Sequence, residues 1–108
     1  MINEINNEDD DYIDYDIHSK YCTYCCNEPP DTIAFNGRCI IYIKADGFFA
    51  INGYTSSILD NPKNIDIFNL LDDIVDITGD YHHTFYEGIH YVKQINEQIH
   101  QIDIIMGS

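Results

Sequence analysis

Cations are scarce in this sequence: 5 Lys and Arg stand against 19 Asp and Glu, a formal net charge of −14 at pH 7. A small domain ordinarily carries a net charge of about 2–8 in magnitude, and so large an anionic excess repels both phosphate and anionic lipid. Direct binding of nucleic acid or of a membrane is therefore not expected, and a basic protein partner is. The chain also lacks an apolar run of ~18 residues and a basic stretch leading into an apolar one. A soluble, cytoplasmic protein is expected, in the host-cell cytoplasm if a virus or phage encodes it. No HExxH, nucleophile elbow or Gly-rich phosphate loop occurs, so a non-enzymatic role is expected.

What is present is an ordinary apolar fraction, 44 % of the chain, in 108 residues, enough for one core and one domain. Ile, Asn, Tyr and Asp are abundant, as in AT-rich coding. That drift should also enrich Lys, yet only Lys20, Lys44, Lys63 and Lys93 occur. The acidic balance therefore calls for a cause beyond drift.

Residues 1–11, MINEINNEDDD, are polar and acidic and read as a flexible tail. Residues 12–108 read as a single α+β domain. From Tyr12, apolar Ile13, Tyr15 and Ile17 alternate with Asp14, Asp16 and His18, the period of a half-exposed edge strand, with acidic disorder as the rival reading. The two prolines after YCTYCC argue for a loop over 19–30. Asn36-Gly37 predicts a turn that folds a short strand at Ile33–Phe35 back on the Cys39 strand.

The strongest local signal is RCIIYIKADGFFAINGY, residues 38–54, where Asp46-Gly47 separates two apolar runs. A two-residue loop there predicts a central hairpin with Ile43 opposite Ala50 and Tyr42 opposite Ile51. Asn61 or Asn64 can cap a helix over Ile65–Thr78, with Pro62 in its first turn and Gly79 at its end. Its apolar half holds Ile67, Phe68, Leu70, Leu71, Ile74, Val75 and Ile77. A second hairpin is predicted over Thr84–Gly107, joined near Ile95-Asn96-Glu97. The order β-β-α-β-β suggests a small antiparallel sheet of about four to five strands with one amphipathic helix on one face.

Three constellations carry chemistry. First, Asp66, Asp73, Asp76 and Asp80 form a stripe on the helix's polar half. Carboxylates toward a helix C-terminus oppose its dipole by about 0.3–1 kcal/mol each, so stability alone does not explain them, although a solvated face is the plain alternative. One turn apart, they space negative charge by about 5 Å, in the manner of a phosphate backbone. Asp14 and Asp16, with Tyr12 and Tyr15 among them, extend the candidate face, aromatics anchoring where charge steers. Asp-x-Asp at 9, 11, 14 and 16 lacks the glycine and final glutamate of a calcium loop.

Second, Cys22 and Cys25 have CxxC spacing, and Cys39 with His18 or Cys26 could complete a structural zinc site; free core thiols and a disulfide are the alternatives. Third, His83 and Glu87 would share a strand face, beside His82, as a metal or acid–base pair. The reading that follows is a small acidic inhibitor or decoy that blocks a basic nuclease or other nucleic-acid-binding protein, as a phage or viral counter-defence protein or an immunity protein would. The alternative is a zinc-stabilised interaction module built on the CxxC cluster.

Overall fold

The computed structural model describes residues 14–108; the tail predicted over 1–11, and Tyr12, lie outside the described residues. Eight elements follow in chain order: β1 (Thr23–Tyr24), β2 (Arg38–Ile43), β3 (Tyr54–Thr55), β4 (Leu59–Asp60), α1 (Asn64–Phe68), α2 (Leu71–Thr78), β5 (Phe85–Gln94) and β6 (His100–Gly107). The α+β class is as expected.

The hairpin predicted near the C-terminus forms: β5 and β6 pair antiparallel from Phe85↔Gly107 to Gln94↔His100. Its turn is closed by Ile95 N–H donating to Ile99 O at 2.8 Å and by the Asn96 side-chain oxygen accepting from Gln98 and Ile99 N–H. Two bulges interrupt β5, one beside Gly88 at φ +129°, a conformation that glycine enters without steric cost.

The sheet is mixed and has six strands, in the order β1-β5-β6-β2-β3 with β4 also on β2. This corrects the antiparallel sheet of four to five strands: β1 runs parallel to β5, and β2 parallel to β6 through Cys39↔His100 and Ile41↔Ile102. Parallel neighbours need a long crossover, which the helices supply between β4 and β5. The segment read as a loop over 19–30 contributes β1. Of the strand expected at 12–18, the described residues keep the alternation, with Tyr15 and Ile17 half-buried and Asp14, Asp16 and His18 exposed, and they form no named strand, meeting β1 where His18 bridges Thr23.

The central hairpin does not form. Tyr42 pairs with Thr55 and Ile43 with Tyr54, so the chain leaves the sheet over 44–53. The Asp46 carboxylate is the cause: its Oδ1 accepts N–H donors from Phe48, Phe49 and Ala50 at 2.8–2.9 Å, folding the chain back on itself before a ladder can start. The Ile33–Phe35 strand is also absent; Ile33 bridges Lys63 instead.

The predicted helix forms as two, broken at Asn69-Leu70, where Leu70 N–H donates to Ile67 O three residues back. Lys63, not Asn61 or Asn64, is the N-cap of α1, and its N–H donates to Asp66 at 2.9 Å. Gly79 ends α2 at φ 81° as expected.

Ile67, Phe68, Leu71, Ile74 and Val75 pack on the sheet face bearing Cys39, Ile41, Tyr86 and Ile102. Each such side chain contributes roughly 1.5–3 kcal/mol of burial. Ile77 escapes the predicted apolar half and is exposed. Tyr24 and Tyr86 are fully buried with centroids 5.5 Å apart, and both phenols donate, to Glu28 O and Asn64 Oδ1. The molecule measures 19 Å along its shortest axis, the thickness of one sheet layer and one helix layer. Among the described residues no helix is long and apolar enough to cross a membrane.

Candidate protein-docking face

Helix α2 has two acidic sides with different surroundings. On the first, Asp72 accepts from Ser19 Oγ, Lys20 N–H and Tyr21 N–H at 2.8–3.0 Å, docking the segment before β1 onto the helix. Burial alone would push the Asp72 carboxyl up, yet these donors hold it below the ordinary value. On the second side, Asp73 and Asp76 are exposed, and three residues apart they share one face. Asp76 accepts from the Tyr81 hydroxyl at 2.8 Å. The last turn of α2 carries no basic residue.

The other two members of the predicted stripe, exposed Asp66 and half-buried Asp80, are taken up by hydrogen bonds within the fold. Asp66 belongs to α1 and closes its N-terminus. Asp80 lies past Gly79 and accepts from His82 N–H, His83 N–H and His83 Nδ1. Of the four, the structure sets Asp73 and Asp76 together facing solvent. Asp14 and Asp16 are exposed but bind locally, Asp14 to the Asp16 N–H and Asp16 to His18 Nε2 at 3.1 Å. Tyr15 is half-buried and packs edge-on against Tyr24 at 5.7 Å, so it serves the core.

Among the described residues the ion pairs are His18–Asp16 and His83–Asp80, and neither involves Lys or Arg. Lys20 lies over the Tyr21 ring at 5.1 Å; the Tyr21 phenol first, and the Asp76 and Asp72 carboxylates after it, hold its ammonium above the ordinary value.

The cysteines are not gathered. Through β1 and the residues flanking it the buried positions alternate, Cys22, Tyr24 and Cys26, while Cys25 falls between them and is half-buried. In an extended strand residues three apart project to opposite faces, so CxxC spacing separates Cys22 from Cys25. All four cysteines are free, and burial pushes the Cys22 and Cys39 thiols up to about 11, disfavouring the thiolate a metal needs. His18 is occupied by Asp16 and the Thr23 hydroxyl. Among the described residues no three His, Cys, Asp or Glu side chains are grouped as metal ligands.

His83 and Glu87 do not share a site either. His83 lines a groove against α2, whereas Glu87 lines a separate cleft with Cys26 and Gly88. The Phe49 ring meets the edges of His82 and His83 at 5.1 and 4.9 Å.

Sequence reasoning missed the loop that Asp46 builds. Phe48 at its tip is 76 % exposed. Ile51 is also exposed, and its N–H donates to Thr78 O at the end of α2. The signal was present in the acid before Gly47, whose side chain competes with the backbone for turn hydrogen bonds. Comparison with protein-family models, with curated proteins and with solved structures finds no match.

Proposed function

We propose that this chain is a non-enzymatic inhibitor or decoy that binds a basic nucleic-acid-handling protein, such as a nuclease, and blocks it. A viral or phage counter-defence protein and an immunity protein against a nuclease toxin are the two settings that suit it, both within a cell's cytoplasm. The observation that carries the reading is the exposed pair Asp73 and Asp76 on one face of α2, a helix whose last turn has no cation. The helix dipole disfavours a carboxylate at Asp76, in the last turn, whereas the break at Asn69-Leu70 moves Asp73 into the first turn of α2, where a carboxylate is favoured; no Lys or Arg of the described residues forms an ion pair with either. Such charge accelerates encounter with a cationic surface and competes with phosphate for it. Exposed Ile77, in the last turn of α2, and Tyr81, just beyond it and hydrogen-bonded to Asp76, supply the apolar contact that holds a complex once charge has steered it.

The test is capture from the source cell with salt elution, followed by kinetics on the purified captured protein. Asp73→Lys with Asp76→Lys is expected to slow association and flatten its salt dependence. Unchanged rates would remove α2 from the interface. Undiminished nucleic-acid binding by the partner at saturating inhibitor would remove the blocking role.

A further inference from the structure

We propose that the groove between α2, the Asp46 loop and β6 is a receptacle for a lysine side chain of the partner protein. The inference rests on the basic-partner reading and specifies one of its contacts. The pairing of β2 with β6 ends at Ile41↔Ile102, and beyond it the two strands separate over α2. The space left is about 270 Å³, just under the roughly 300–1,000 Å³ of sites for drug-sized ligands, and so suits a single side chain.

Its lining has two chemistries. Leu71, Ile74 and Val75 of α2 face Ile43, Ile104 and Met106 of the sheet, while Asp46, Asp80 and Asp103 stand around them with Lys44 and His83. A lysine side chain has the same two parts, an apolar four-carbon stem and a compact cation with three donors. An uncharged apolar side chain would cover the carboxylates without satisfying them. An anion would meet three carboxylates against one lysine.

The carboxylates are held in place before any partner arrives. Asp46 accepts three backbone N–H groups on Oδ1, and Asp103 accepts the Ile104 N–H on its Oδ1 at 2.8 Å. Oδ2 of Asp46 and of Asp103 accepts no hydrogen bond from another described residue, leaving it to an incoming ammonium. Asp80, anchored on His83 Nδ1 at 2.8 Å, adds charge from the helix side.

The test is an NMR titration of the full chain with Nα-acetyl-lysine methylamide. Two uncharged probes of similar length serve as controls, the ε-acetylated form and the norleucine analogue. The lysine probe is expected to shift the amides of Ala50, Thr78 and Ile104 with a dissociation constant on the order of 1 mM, and added salt is expected to weaken it. Asp103→Asn, which keeps the oxygen that accepts the Ile104 N–H, is expected to weaken binding roughly threefold, the size of an exposed ion pair. Asp46→Asn provides a second variant that retains its acceptor. Equal binding of the norleucine probe would reduce the groove to an apolar cleft and overturn the proposal, as would shifts confined to other surfaces or none at all. Spermidine binding far more tightly than the lysine probe would assign the groove to a free polyamine and overturn the partner contact. Failure here leaves the Asp73–Asp76 face untouched, since that face is judged by association kinetics alone.

Discussion

Residues 38–55 and residues 85–107 are both apolar runs around a turn, yet they close in different ways. In the second, β5 and β6 meet along a continuous backbone ladder, broken only by two bulges. In the first, the Asp46 carboxylate gathers three N–H groups, and the strand returns to β2 only at Tyr54. A ladder places side chains alternately in the core, so the hairpin is where stability resides. A side-chain-closed loop makes few core contacts, and its apolar residues Phe48 and Ile51 remain at the surface. The difference teaches where the fold is committed and where surface remains for recognition.

The largest effect is expected from Ile102→Ala in β6. Ile102 is fully buried, and the truncation is expected to cost about 2–5 kcal/mol, read as a global loss in urea unfolding. Tyr86→Phe comes next: it removes the hydroxyl that donates to buried Asn64 Oδ1 at 2.7 Å, for an expected loss of about 1–3 kcal/mol. Asp46→Ala is expected to act locally, speeding amide exchange at Phe48, Phe49 and Ala50 while β5 and β6 keep their protection. A fall in global stability equal to that of Ile102→Ala would place the loop inside the cooperative core and dissolve the distinction.

Acid gives the same contrast without mutation. The Phe48 N–H, aided by those of Ala50 and Phe49, holds the Asp46 carboxyl below its ordinary value. A carboxyl depressed in the folded state contributes in full above its unfolded value of about 3.9, and the contribution is lost as pH falls through the folded value. Loop amides are therefore expected to lose protection below about pH 4, ahead of the hairpin. The smallest effect on folding is expected from Asp73→Lys with Asp76→Lys, which should leave the unfolding midpoint in place because both residues are exposed. A large shift would mean that these acids serve the fold.

Much of the architecture was legible because local pattern and tertiary demand agree. Alternation of Tyr86, His90 and Val92 with Phe85, Ile89 and Tyr91 marked the hairpin, and the spacing from Ile67 to Val75 with Gly79 after it marked the helical region. The parallel pairing of β1 and β2 was not legible, since a strand's own residues do not say which neighbour it meets. The candidate site was readable only in part. Composition announced the anionic excess, but Asp72 and Asp73 are adjacent in the chain and one docks the segment before β1 while the other faces solvent. CxxC spacing suggested ligands until extended backbone carried the two thiols to opposite faces.

By itself, the sequence determined the class of the fold, the amphipathic helical stretch, the C-terminal hairpin and the net charge, because propensity, periodicity and charge are properties of neighbours along a chain. Only the tertiary structure decided which aspartates became internal acceptors, that Asp46 would form a loop instead of a hairpin, and that β2 would part from β6 over α2 to open a groove. Those outcomes depend on partners far away in sequence, Ser19 donating to Asp72 and the Thr78 carbonyl of α2 accepting from the loop's Ile51 N–H, and a hydrogen bond between distant groups exists only once the chain has brought them together.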